Sequence, residues 1–149
     1  MNSAKSILVA TDFSDVSNHA AAYAVDLARQ LGARVTFLHV YEIPAYSYFD
    51  GAMLATSELT ASLSIAADGA MATLLNEQKA SGVLVDGIVR VGAPTDEVQR
   101  VAEEIKADLI VVGTHGRRGL ARAFLGSVAE VVVRTSTRPV VVVPAPHAV

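Results

Sequence analysis

Short, unbroken apolar runs alternate along this chain with longer stretches whose apolar residues recur every three or four positions. The first run, Ile7-Leu8-Val9-Ala10, predicts a strand buried on both faces. Thr11-Asp12-Phe13-Ser14 ends it. A helix follows, with Ala21, Ala24, Val25, Ala28 and Leu31 on one face and Gly32 at its C-terminal cap. Arg34 to Val40 predicts the second strand. The least regular stretch, Tyr41 to Thr56, reads as a loop or lid. A second helix spans Ser57 to Ala80, with Leu59, Leu63, Ala66, Ala67, Ala70, Leu74 and Leu75 as its buried stripe and Gly82 as its stop.

The third strand is expected from Val83 to Val91. Pro94 suits the first turn of a third helix, which Val98, Val101, Ala102 and Ile105 continue on one face. Leu109 to Val112 predicts the fourth strand, Ser127 to Arg134 a short last helix, and Val140 to Val143, after Pro139, the fifth strand. Regular alternation of this kind implies a parallel sheet with helices on both faces. Right-handed crossovers restrict the topology, and the strand order 3-2-1-4-5 is the one expected. The expected fold is therefore α/β, a single Rossmann-like domain over residues 1–149. Its first and fourth strands lie side by side where the winding reverses, and a binding crevice opens at their C-terminal ends.

Composition narrows the chemistry. The 149 residues are 52% hydrophobic and 18% charged, enough for a real core. The formal net charge of −3 argues against a general nucleic-acid binder. There is no cysteine, which removes disulfides, thiolate metal sites and cysteine nucleophiles. No apolar run reaches the ~18 residues needed to span a bilayer, and Ile7–Ala10 is too short for a signal-peptide core. A cytoplasmic location is expected.

The candidate chemistry sits where the fourth strand runs into Gly113-Thr114-His115-Gly116. Nine residues separate Gly116 from Gly126-Ser127, which opens the last helix. Glycines let a ligand approach the backbone, and a helix N-terminus presents unpaired amides and partial positive charge. Gly113, Gly116, Gly126 and Ser127 together read as a phosphate cradle. Ordinary turns would also use such glycines. From Thr114 to Arg138 the chain carries five arginines (Arg117, Arg118, Arg122, Arg134 and Arg138) against one acid, Glu130. This predicts a basic patch suited to a polyanion, with a solvated surface loop as the plainer alternative. There is no G-x-x-x-x-G-K-S/T, so a P-loop is not expected, and no Gly-x-Gly-x-x-Gly follows the first strand.

The pattern Gly113-x2-Gly116-x9-Gly126-Ser127 resembles the nucleotide-binding signature of the universal stress protein family, in its ATP-binding branch. The flanking runs Leu109-Ile110-Val111-Val112, Leu125-Gly126-Ser127-Val128, Arg138-Pro139-Val140 and Val9-Ala10-Thr11-Asp12-Phe13-Ser14 are similar to the family as well. The resemblance implies an adenine nucleotide, ATP, with magnesium or manganese accompanying the triphosphate. It implies that Asp12 binds the ribose and that Thr11 lines the adenine side. The backbone at Val40 meets the adenine edge, Gly113 and Gly116 approach the ribose and phosphates, and Gly126, Ser127 and Val128 hold the phosphates. Arg117 is a candidate further phosphate contact. It also implies a homodimer, which the edge strand Val140–Val143 would supply, and a stress-response regulator acting on a protein partner that the sequence does not identify.

Asp12 has a plainer role as a turn or N-cap carboxylate. His115 lacks a sequence context for a catalytic triad, and His19, His39 and His147 show no metal-ligand spacing. Tyr46, Tyr48 and Phe49 suit either a ligand cap or plain packing. No catalytic residue and no metal-ligating residue is assigned. A slow ATP hydrolase or nucleotidyl-transfer enzyme is the alternative function. No base positioned to activate water stands out.

Overall fold

The computed structural model describes residues 3–43, 53–114 and 125–146. Strands and helices alternate within them: β1 (Ser6–Ala10), α1 (Asp15–Leu31), β2 (Arg34–Tyr41), α2 (Met53–Gln78), β3 (Val85–Val91), α3 (Pro94–Glu104), β4 (Leu109–Gly113), α4 (Ser127–Thr135) and β5 (Val140–Val143). The sheet has the expected order, β3-β2-β1-β4-β5, and each neighbouring pair is parallel.

Side-chain alternation along the strands builds two core layers. Ile7, Val9, Val35, Phe37 and Val111 face α1 and α2, against Ala20, Ala21, Ala24, Val25, Ala28, Met71 and Leu74. Leu8, Leu38, Ile110 and Val112 face α3 and α4, against Val98, Val101, Ala102, Ala129 and Val132. The row of alanines on α1 lets that helix lie close to the sheet. Ser14 caps its start by accepting the amide of Ser17. At its end Gly32 adopts φ 65°, a conformation that costs a Cβ-bearing residue strain, and the amides of Gly32 and Ala33 both reach back to the Ala28 carbonyl.

The differences from expectation lie at element ends and on α2. Tyr41 extends β2, and α2 begins at Met53, inside the stretch expected to be loop. A 3-10 turn over Lys79–Ser81 closes α2 before Gly82. β3 starts at Val85, two residues later than predicted. The buried face of α2 is carried by Ala67, Met71 and Leu74, while Ala66 is exposed. Apolar residues occur all round this helix, and Met71, outside the predicted stripe, is buried where Ala66 is not. Residues 44–52, with Tyr46, Tyr48 and Phe49, lie outside the described residues.

Candidate functional site

Parallel register brings the ends of the five strands to one rim. Ala10 is level with Leu38, Val40 with Arg90, and Gly113 with Val143. Thr11 continues β1 by donating its amide to the Leu38 carbonyl at 2.9 Å. β1 and β4 are direct neighbours, yet the chain leaves them toward opposite faces, into α1 and toward α4. A crevice at such a reversal is where ligands of open α/β sheets bind.

The β1–α1 turn is tightly specified. Phe13 sits at φ 63°, unusual for a residue with a bulky side chain. The turn is held by side chains. Phe13 donates its amide to Thr11 Oγ1 at 3.0 Å, and Ser14 donates its amide to Asp12 Oδ1 at 3.0 Å. The second bond is the Asx turn anticipated as the plainer role of Asp12. The N-cap is Ser14 rather than Asp12. His39, on β2, places Nδ1 2.9 Å from the Thr11 carbonyl. A carbonyl only accepts, so Nδ1 carries the hydrogen. The His39 ring also lies against Phe13, with centroids 4.5 Å apart.

Ser17 was not singled out from sequence. It is buried, and its hydroxyl reaches Asp12 Oδ1 at 2.9 Å and Thr11 Oγ1 at 3.1 Å. The signal was present: Ser17 precedes Ala21, Ala24 and Ala28 at spacings of four, three and four. A polar residue on a core stripe needs a buried partner.

At the end of β4, an ideal Cβ built on Gly113 would lie 3.0 Å from Val16 Cγ1. The space a side chain would need is filled by the first turn of α1, so this glycine serves close helix–strand packing. Thr114 then ties three segments together. It donates its amide to the Val143 carbonyl at 3.1 Å, its hydroxyl accepts the Ala145 amide at 3.2 Å, and its carbonyl accepts the Gly126 amide.

Gly126 is the N-cap of α4, with extended backbone at φ −61° and ψ 155° and no side-chain cap bond. Helix geometry leaves the amides that follow, those of Ser127 and Val128 first, without intrahelical partners. An anion fits there, and the bare glycine puts no side chain between it and the amides. Val40 is partly buried against the α3 layer. Gly116 and Arg117, with His115, Arg118 and Arg122, lie outside the described residues.

Two arginines of the expected basic patch belong elsewhere. Arg138 donates through Nε to the Ala107 carbonyl at 2.6 Å and pairs with Glu103 at 3.0 Å. Arg134 lies 3.4 Å from Glu130. The reason is helix polarity: α4 runs away from the rim, and Arg134 lies about 10 Å along its axis from Ser127. Among the described residues, no group of three or more His, Asp or Glu could hold a metal ion. No helix among them is long and apolar enough to cross a membrane.

Known proteins share this fold. Residues 3–144 match the model of the universal stress protein family. Universal stress protein MJ0531 of Methanocaldococcus jannaschii is 36% identical over 95% of this chain and 83% of its own. Universal stress protein MJ0577 of the same organism is 31% identical over 93% and 94%. The solved structure of MJ0577 superposes with a TM-score of 0.86 at 30% identity, covering 99% of this chain and 100% of that one. A universal stress protein solved in complex with cAMP matches at a TM-score of 0.68 and 29% identity, over 95% and 98%. With nearly its whole length matched by the family model, and with the sheet order, turn and glycine-capped helix that the motif implied, this chain belongs to the universal stress protein family.

Proposed function

We propose that the protein is an ATP-binding stress-response regulator of the cytoplasm whose nucleotide state tunes its conformation or its contact with a protein partner. One observation carries the reading. An oriented carboxylate, Asp12, and a glycine-capped helix N-terminus, Gly126-Ser127-Val128, stand at the ends of adjacent strands where the winding reverses. A carboxylate suits ribose hydroxyls, and helix amides suit phosphates. Thr11 and Val40 would flank the adenine, Gly113 would back the ribose, and Gly116 and Arg117 would complete the phosphate side. The relative crystallised with cAMP supports an adenine nucleotide as the ligand class. Magnesium or manganese would accompany the triphosphate and offset its charge.

ATP at ~100 times its dissociation constant should add about 2.7 kcal/mol of stability to nucleotide-free protein. Melting should then shift upward by several degrees. Asp12→Ala should weaken ATP binding by about 10- to 100-fold, the worth of a charge-assisted hydrogen bond. Melting curves and titration calorimetry check both. A curve indifferent to millimolar ATP and magnesium would defeat the proposal.

The regulatory part rests on Thr114. It joins the start of the α4 cradle to the end of β5, so a ligand that moves Gly126 pulls on an edge strand. On that strand Val140, Val141 and Val142 are only half-buried. An apolar edge strand invites a second chain, and a two-fold axis would let β5 meet its own copy in a closed pair. The protein should therefore scatter light as a dimer of the 15.6 kDa chain. Val141→Lys should shift it to monomer with its circular dichroism unchanged. A variant as dimeric as the wild type would place the interface elsewhere.

A further inference from the structure

We propose that Ser17 is a positioning residue for nucleotide binding: its hydroxyl aims the Asp12 carboxylate at the ribose hydroxyls. The inference rests on the adenine-nucleotide site proposed above and adds to it a residue on the helix behind the binding turn.

The hydrogen positions follow from the distances. Ser17 Oγ lies 2.9 Å from Asp12 Oδ1, 3.1 Å from Thr11 Oγ1, 3.1 Å from the Ser14 carbonyl and 3.3 Å from Ser14 Oγ. A serine hydroxyl has one hydrogen to give. The carboxylate is the nearest acceptor and the only charged one, so the hydrogen goes there. Thr11 Oγ1 already accepts the Phe13 amide and has its own hydrogen to give to Ser17. The result is a directed chain, from the Phe13 amide to the Thr11 hydroxyl, to the Ser17 hydroxyl, to Asp12 Oδ1. The Ser14 amide reaches that same oxygen at 3.0 Å.

Two donors from different elements thus fix one carboxylate oxygen, one from the turn and one from the helix. Ser17 is 5% exposed and Thr11 7%, so the chain is sheltered from water that would compete for these bonds. The neighbouring Val16 packs against Gly113, which holds the helical turn carrying Ser17 against β4. The carboxylate is therefore oriented by folding, before any ligand arrives, and binding need not order it. A ligand with ribose hydroxyls gains from this orientation. A ligand without them does not.

The test is a cycle in both protein and ligand. Affinities for ATP and for 2′,3′-dideoxy-ATP are measured by calorimetry on the full chain, for wild type, Ser17→Ala, Asp12→Ala and the double variant. Ser17→Ala should weaken ATP by about 10-fold, at the level of one hydrogen bond to a charged group. It should change dideoxy-ATP by less than about 2-fold, and add less than about 2-fold to Asp12→Ala, because coupled residues are not additive. Equal losses for both ligands would overturn the positioning role and leave Ser17 a support of the fold, as would full additivity with Asp12→Ala. Unchanged ATP affinity in Ser17→Ala would overturn it too. If Asp12→Ala bound ATP as tightly as wild type, the ribose assignment itself would fail, and the inference with it.

Discussion

Gly126→Val should abolish ATP binding, with an affinity loss of at least about 100-fold, or about 2.8 kcal/mol. Gly126 is the N-cap of α4 at φ −61° and ψ 155°, a conformation that valine adopts without strain. The backbone should therefore keep its course, and the amide bond to the Thr114 carbonyl should persist. What changes is space. A branched side chain would stand at the mouth of the helix, where phosphate oxygens would approach the Ser127 and Val128 amides. The lost interactions are charge-assisted and several at once, so the effect should exceed that of any single side-chain deletion. Calorimetry with ATP, beside a circular dichroism melt of nucleotide-free protein, separates binding from folding. Retained affinity would place the phosphates away from α4.

Phe37→Ala should give the largest loss of stability, about 3–5 kcal/mol, the usual cost of emptying an aromatic side chain from a packed core. Among the described residues, Phe37 is the largest fully buried side chain. It stands level with Val9 on β1 and with Gly87 on β3, in the layer beneath α1 and α2. The alanines of α1 already lie close on the strands, and small side chains cannot swing in to fill the void. Against a total stability of about 5–15 kcal/mol, such a loss is a large fraction. Urea denaturation should show a lower midpoint with an unchanged slope. A loss below about 1 kcal/mol would mean that the layer collapses around the gap.

The strands were legible because central parallel strands are apolar on both faces, as Ile7–Ala10 and Leu109–Val112 are. Alternation and right-handed crossovers restricted the strand order without fixing it, and the order favoured among those left is the one present. The α3 stripe Val98, Val101, Ala102 was legible because its other face is charged. On α2 the apolar residues surround the axis, so the predicted stripe held at Ala67 and Leu74 but took in the exposed Ala66 and missed the buried Met71. The turn carboxylate and the glycine cap were visible as motif residues, but Ser17 was hidden on a helix that reads as alanine-rich core. Arg134 and Arg138 were close to the glycines in sequence yet far in space. A helix between two parallel strands carries its last residues to the opposite rim of the sheet, as Arg138 bonding to Ala107 illustrates.

Val16 and Gly113 are 97 positions apart and occupy a common volume, with Val16 Cγ1 3.0 Å from where a Cβ on residue 113 would lie. A larger residue at 113 needs Val16 to give way. An alanine at 113 would press on Val16 in the first turn of α1, and an alanine at 16 in the same chain would make the room. Across homologous sequences the two sites should therefore drift as a pair, small with large and large with small. That paired drift would link the β1–α1 turn to the end of β4 through volume, with no polar contact between the two sites.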